Sequence, residues 1–144
     1  MEETNFRSRS RQAALQVMYQ LDLVGGGSKD GAYGEALKVI CSELALDEVT
    51  MNYAEHLLKG TIEKSEEIDA AIAAASKNWT IDRMGVVERS ILRLAAFELI
   101  FCDNKDVPYK VAIDEALELV RRFGSEDSVP FVNGILDNIA SENN

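Results

Sequence analysis

The sequence predicts an all-α protein, a compact bundle of about seven helices in two halves packed together. Long segments repeat apolar residues at three- and four-residue spacing, which is the period of a helix with one buried face. No run alternates apolar and polar residues over the length of a strand between turn residues. At 144 residues the chain has the size of a single domain, with an N-terminal half of about residues 1–78 and a C-terminal half of about residues 79–144.

The N-terminal half contains four predicted helices. A glycine-rich segment, residues 25–31, separates the first two. Asp47 and Ser65 are predicted to cap the third and fourth helices with a side-chain oxygen. The first three helices cover about residues 8–24, 33–45 and 47–61. The residues expected to face the core from the first and fourth helices are Ala14, Leu15, Met18, Leu21, Ile68, Ala71, Ile72 and Ala75.

The C-terminal half begins with the most apolar helix of the chain, at about residues 86–101. From Ile91 onward only Arg93 and Glu98 interrupt its apolar residues. This pattern is typical of a helix that is surrounded by others rather than lying on the surface. We therefore expect it to be the central helix of this half.

The last two predicted helices start in the same way. Asp106 and Ser128 are each predicted to cap a helix, and the Val-Pro pair that follows each of them places a proline in the first helical turn. Gly124 ends the sixth helix, at about residues 107–123. Gly134 lies inside the seventh at a cost of roughly 1 kcal/mol relative to alanine, so we expect another helix, or alternatively a ligand, to approach it closely. The residues expected to face the core are Ala112, Ala116, Leu119, Phe123, Ile135 and Leu136.

The charge of the chain is large and uneven. A formal net charge of −10 argues against a general nucleic-acid-binding protein, because non-specific affinity comes from lysine and arginine at the phosphates. Residues 7–21 nevertheless hold three arginines and no acid, whereas residues 30–76 hold ten acids and three lysines. This distribution predicts one anionic and one basic partner.

Catalysis and metal binding have little support in the sequence. The single histidine, His56, has no cysteine, serine or second histidine at the spacing of a nucleophilic or metal site. Cys41 and Cys102 form no Cys-x-x-Cys pair and are expected to be structural thiols. We expect no enzyme activity, no cofactor and no metal. Without a recognisable secretory signal or an apolar stretch long enough to span a bilayer, the predicted location is cytoplasmic, with no membrane partner.

The arginines at positions 7, 9 and 11 are unusual at the start of a helix, where the macrodipole disfavours cations. A bound anion would neutralise them, and the alternative is an arm that pairs with Glu2, Glu3 or a neighbouring helix. Tyr19 lies about two turns beyond Arg11, near the same face, and is suited to stack on an unpaired base. The alternative for Tyr19 is a tyrosine at the edge of the core.

Three blocks of the sequence resemble the NusB family, bacterial transcription antitermination factors that bind RNA. The first begins Arg7-Ser-Arg-Ser-Arg11 and the second begins Trp79-Thr-Ile-Asp-Arg-Met-Gly85. The third begins Asp106-Val-Pro-Tyr-Lys110 and ends Phe131-Val-Asn-Gly-Ile-Leu-Asp137. They occur in the family's order and cover nearly the whole chain.

The resemblance implies a heterodimer with the ribosomal protein NusE that binds boxA-type RNA. This heterodimer joins the elongating RNA polymerase and other Nus factors and suppresses premature termination, notably in ribosomal RNA operons. Asp82 and Glu88 are implied at the NusE contact, although both also suit the dipole of the central helix. The residues implied in RNA binding are Arg7, Arg9, Arg11, Gln12, Tyr19, Asp127, Phe131 and Asn133.

Further expectations concern RNA affinity, oligomeric state and alternative functions. Asp127 is expected to limit RNA affinity by like-charge repulsion, so that Asp127→Asn would tighten binding at fixed salt. Family members include monomers and homodimers, and the sequence leaves both states open. The alternative function is a helical protein-interaction adaptor with no direct RNA role. The same fold also forms an N-terminal module of some RNA cytosine methyltransferases, whose S-adenosylmethionine-binding part is not expected within these 144 residues.

Overall fold

Helices are the regular elements of the computed structural model, which describes residues 2–23, 32–77 and 84–143. The all-α prediction is confirmed, with seven α-helices in this described part and one short 3₁₀ turn, Glu126–Ser128. The α-helices are α1 Glu2–Leu23, α2 Ala32–Glu43, α3 Glu48–Glu63, α4 Ser65–Ser76, α5 Val86–Phe101, α6 Tyr109–Phe123 and α7 Val129–Glu142.

The chain divides into two compact units, residues 1–63 and 64–144. The division precedes α4, which packs against α5 and α7 of the second unit. The predicted boundary at about residue 78 instead leaves α4 in the N-terminal half. The description of the whole chain as one domain stays a prediction.

The N-terminal unit is held together by α1, which packs against both α2 and α3. The inward face predicted for α1 is confirmed, because Ala14, Leu15, Met18 and Leu21 are all buried. A polar contact adds to this packing: the fully buried Ser10 hydroxyl lies 2.7 Å from the carbonyl oxygens of both Phe6 and Thr50. Since Thr50 belongs to α3, this hydroxyl ties the two helices together. Burial raises the pKa of the Cys41 thiol, which favours the neutral form expected of a structural cysteine.

The C-terminal unit is built around α5, as predicted. This helix contacts α4, α6 and α7, and most of its residues from Ser90 to Leu99 are buried. Arg93 makes two hydrogen bonds to Asp69 of α4, Nε to Oδ1 at 2.9 Å and a terminal nitrogen to Oδ2 at 3.1 Å. The amide of Asn138 on α7 donates to the Ala75 carbonyl of α4 at 3.1 Å. The framework that carries the C-terminal candidate residues is therefore fixed by both apolar and polar contacts.

The predicted helix caps were only partly right. The cap predicted at Asp47 is confirmed, because the Asp47 Oδ1 accepts the Thr50 N–H at 2.9 Å. The cap predicted at Ser65 is wrong, because Ser65 is the first residue of α4 and Lys64 precedes the helix without a side-chain cap. Ser128 makes no capping bond either, because the 3₁₀ turn precedes α7 and is capped by the Ser125 hydroxyl. Pro130 does lie in the first turn of α7.

The start of α6 also differs from the prediction. Pro108 precedes the helix in an extended conformation (φ −58°, ψ 141°) instead of lying in its first turn. Residues that precede a proline disfavour helical backbone angles, and α6 begins only after Pro108, at Tyr109. Asn104 replaces Asp106 as the cap, since its Oδ1 accepts the Tyr109 N–H at 2.9 Å. Gly124 follows the last residue of α6 as predicted, but Phe123 is 38% exposed and not part of the core.

Candidate nucleic-acid interface and partner edge

The arginines of α1 do not form one cluster. Because α1 starts at Glu2, all three arginines lie beyond its first turn, so the macrodipole argument for an anion at this helix start was wrong. Residues two apart on a helix point about 200° away from each other. Arg9 is accordingly exposed, whereas Arg11 is only 4% exposed and Arg7 is half-buried. Arg9 is the most exposed of the three arginines.

Arg7 is held by two aromatic rings. Its guanidinium carbon lies 5.2 Å from the Tyr53 ring centroid and 5.7 Å from the Phe6 ring centroid. The two rings are themselves 6.0 Å apart in an edge-to-face arrangement. Cation–π contacts of this kind fix an arginine without removing its hydrogen-bond donors. This contact could not be predicted from the sequence, because Tyr53 is more than forty residues from Arg7 and lies on another helix.

A polar face of α1 connects Arg9 with Tyr19. Residues at spacings of 3, 7, 10 and 11 from Arg9 return to its side of the helix. We call this face the Arg9–Gln20 stripe, and it consists of Arg9, Gln12, Gln16, Tyr19 and Gln20. Arg9, Tyr19 and Gln20 are exposed, and the other two residues are half-buried. Tyr19 lies about 80° around the helix from both Arg9 and Arg11. It shares its exposure to solvent with Arg9, whereas Arg11 is buried. Gln16 and Gln20 were missed, although the helical spacing alone would have identified them.

The chemistry of this stripe suits an unpaired nucleic-acid strand. It holds a positive charge, an aromatic ring that is 40% exposed and three amides, and no carboxylate. Arginine meets phosphates, an exposed ring stacks on a base, and amides both donate to and accept from base edges. The charge of Arg9 also reaches Asp47 at the start of α3. The pKa of Asp47 is lowered, mainly by hydrogen bonding from Thr50 and to a smaller extent by Arg9.

The C-terminal candidates lie on the 3₁₀ turn and on α7. Asp127 is exposed on the turn, and Phe131 and Asn133 are half-buried on the helix. Phe131 and Asn133 are two residues apart and therefore point in different directions. Asn133 lines a surface depression together with Tyr109, Lys110 and Asp137. That these residues contact the same RNA as the Arg9–Gln20 stripe stays a prediction.

Of Asp82 and Glu88, the two residues implied at the contact with a protein partner and called the partner edge below, only Glu88 can be described, because Asp82 lies outside the described residues. Glu88 is in the first turn of α5, where an acid complements the helix dipole. Its Oε2 also accepts the Ser125 N–H at 3.1 Å. This carboxylate therefore has a structural contact in addition to the partner role implied by the resemblance.

Neither a metal-binding cluster nor a membrane-spanning helix occurs among the described residues. Over ranges 2–23, 32–77 and 84–143, no group of three or more histidine, cysteine or acidic side chains is arranged to bind a metal ion. Within the same part of the chain, no helix is both long and apolar enough to cross a membrane. The His56 ring is exposed and lies 5.7 Å from the Tyr53 ring.

Comparison with known proteins identifies the family. The family model described as "NusB family" matches residues 8–141. The chain belongs to the NusB family. A NusB transcription antitermination protein from Geobacter sulfurreducens is 45% identical over 141 residues, which are 94% of each chain. A NusB antitermination protein from Desulfitobacterium hafniense is 40% identical over 138 residues, covering 96% of this chain and 90% of that one.

Solved NusB structures share the fold of this family member. NusB from T. maritima superposes with a TM-score of 0.83 at 38% identity, covering 94% of this chain and 91% of that one. A second solved structure, described as antitermination factors NusB and NusE in complex with dsRNA, has a TM-score of 0.81 at 31% identity. That match covers 96% of this chain and 98% of the solved chain. The NusB resemblance drawn from three sequence blocks is thereby confirmed.

Gly134 does not make the close contact that the sequence predicted for it in this NusB chain. It is exposed, and an added Cβ would meet no atom within 4 Å. We therefore expect Gly134→Ala to raise the free energy of unfolding by about 0.5–1 kcal/mol, because alanine is the better helix former. Urea unfolding measures this change, and Ala70→Gly, at an exposed position inside α4, should produce a similar loss. A stability decrease in Gly134→Ala would show that this site is crowded after all.

Proposed function

We propose that this chain is a transcription antitermination factor that binds boxA-type single-stranded RNA together with the ribosomal protein NusE. It acts within the RNA polymerase elongation complex, alongside other Nus factors and especially on ribosomal RNA operons. The single observation that carries this proposal is the NusB family match over residues 8–141. It acts by binding and not by catalysis, and it works in the bacterial cytoplasm, where the nascent transcript is made.

Two features of the chain support an RNA role that depends on a partner. The Arg9–Gln20 stripe offers a cation, an exposed ring and amides, the groups that recognise unpaired bases and phosphates. The net charge of −10 opposes non-specific binding of RNA. A basic ribosomal protein would cover part of the acidic surface and extend the positive track along the RNA. We therefore expect NusE to raise both the affinity and the selectivity for boxA-type RNA.

The solved NusB–NusE relative is described with double-stranded RNA. We assign this chain to single-stranded RNA because bases must be unpaired before a ring such as Tyr19 can stack on them. A-form duplexes expose mainly phosphates and 2′-hydroxyl groups to a protein. A duplex RNA of the same length is therefore an informative competitor.

Fluorescence anisotropy tests the proposal. A boxA-type single strand, a scrambled strand and a duplex are titrated with the chain at one salt concentration, with and without NusE. We expect NusE to tighten binding of the boxA-type strand at least about tenfold more than binding of the scrambled strand, which corresponds to about 1.4 kcal/mol of coupling. If no strand is selected even with NusE present, the function fails and the protein-interaction adaptor becomes the better description.

A further inference from the structure

Glu88 links the start of α5 to the turn that carries Asp127. Its Oε2 accepts the Ser125 N–H at 3.1 Å. The Ser125 hydroxyl in turn accepts the Asp127 N–H at 3.3 Å and caps the 3₁₀ turn Glu126–Ser128. Two hydrogen bonds in series therefore connect a carboxylate on the partner edge with a residue implied in RNA binding.

Two glycines make room for this carboxylate. A Cβ at Gly85 would lie 2.6 Å from Glu88 Oε1, and a Cβ at Gly124 would lie 2.7 Å from Glu88 Oε2. Both glycines have negative φ angles, −62° and −109°, which other residues adopt without strain. Space for the carboxylate accounts for Gly85, and at Gly124 an added Cβ would also lie 3.2 Å from the Val120 carbonyl oxygen. We call the site formed by Gly85, Gly124 and the Ser125 N–H the Glu88 notch.

A role confined to the helix dipole would not require this arrangement. An acid in the first turn of α5 stabilises the helix wherever its side chain points. The Glu88 side chain instead reaches 37 residues along the sequence to a backbone N–H next to the 3₁₀ turn. A hydrogen bond to a charged acceptor is stronger than a neutral one, so it limits the motion of the segment that donates it.

We propose that Glu88 is a positioning residue for RNA binding. Its carboxylate lies in the Glu88 notch, holds residues 124–128 in place and so sets the position of Asp127 on the turn before α7. A carboxylate has acceptor capacity for several donors, so Glu88 can keep the Ser125 bond while it meets a basic side chain of the protein partner. Partner binding and the order of this turn are then coupled, and the coupling is reciprocal. This inference rests on the proposed function.

The test combines a local and a functional measurement on the full-length chain. Amide hydrogen exchange of Ser125 and Asp127 is followed by NMR for the wild type, Glu88→Ala, Glu88→Gln and Gly85→Ala. Affinity for a boxA-type strand is measured for the same proteins without NusE. Glu118→Gln is the matched control, because Glu118 is an exposed acid on α6 whose ion pair with Arg121 is local.

We expect exchange at Ser125 to accelerate about tenfold in Glu88→Ala, because one charge-assisted hydrogen bond is lost. Glutamine keeps an acceptor oxygen, so Glu88→Gln should recover much of the protection. Gly85→Ala keeps the charge of Glu88 but crowds its carboxylate. Hydrogen exchange at the Ser125 amide should therefore accelerate, as in Glu88→Ala. RNA affinity without NusE should change at least about threefold in Glu88→Ala and not in Glu118→Gln.

Results that contradict the positioning role can be distinguished from results that contradict the proposed function. Unchanged Ser125 exchange in both Glu88→Ala and Gly85→Ala, with RNA binding intact, overturns the positioning role alone. Faster exchange of the Ser125 amide with unaltered RNA affinity in Glu88→Ala also overturns the positioning role, because Glu88 would then stabilise the turn without affecting RNA binding. If the wild type selects no RNA even with NusE, the proposed function fails and this inference fails with it.

Discussion

Arg9→Ala is expected to weaken binding of boxA-type RNA about tenfold at fixed salt without lowering the melting temperature. Arg9 is exposed on the Arg9–Gln20 stripe, so its removal costs a contact to the RNA and no packing. A hydrogen bond to a charged group contributes roughly 1.5–3 kcal/mol, and solvent exposure places Arg9 at the lower end. For single-stranded RNA, loss of one phosphate contact should also reduce the slope of log K against log salt by about 0.7. Anisotropy titrations over a salt series measure both quantities.

Arg11→Ala is the matched control for this prediction. Arg11 is only 4% exposed, so its substitution should lower the melting temperature through lost packing. A folded Arg11→Ala protein at low temperature should retain more RNA affinity than Arg9→Ala. If Arg9→Ala binds RNA as the wild type does while Arg11→Ala does not, the stripe is not the RNA-binding surface.

Leu136→Ala is expected to produce the largest loss of stability, about 2–5 kcal/mol of the free energy of unfolding. Leu136 is completely buried on α7 and packs within the C-terminal unit. Since α7 also carries Phe131 and Asn133, loosening it should reduce RNA binding indirectly. Urea unfolding at equilibrium gives the change in stability, which is a large fraction of the 5–15 kcal/mol typical of a small protein.

Asp137→Ala controls for the Leu136 substitution, because Asp137 is the next residue and is exposed. Its unfolding free energy should stay within about 0.5 kcal/mol of the wild type. A Leu136→Ala protein as stable as the Asp137→Ala protein would contradict the placement of Leu136 in the core.

Helical periodicity predicted the elements that bury an apolar face. The range of α5 was predicted to the residue, because an apolar run preceded by a glycine marks both its content and its start. The inward residues of α1 were correct for the same reason. The start of α1 at Glu2 was missed because residues 2–7 are mostly polar and show no apolar period. Periodicity locates a helix only where the helix has a face to bury.

Contacts between distant residues could not be predicted from the sequence. The rings around Arg7 and the Glu88 bond to Ser125 depend on packing between helices. Ser128 directly precedes α7, but its backbone angles are already helical (φ −80°, ψ −13°) and it makes no capping bond. Asp106 is not adjacent to α6, which begins at Tyr109. The separation of Arg9 from Arg11, in contrast, follows from a spacing of two residues and was open to prediction.

A map of the RNA contacts on this chain in the presence of NusE tests directly whether the Arg9–Gln20 stripe binds boxA-type RNA. Amide chemical shifts of the isotope-labelled chain are recorded as a boxA-type strand is added to its complex with NusE, and again with the scrambled strand. We expect the largest selective changes in the N-terminal unit at Arg9, Gln12 and Tyr19. An unperturbed Arg9–Gln20 stripe, or identical changes with the scrambled strand, would contradict this expectation.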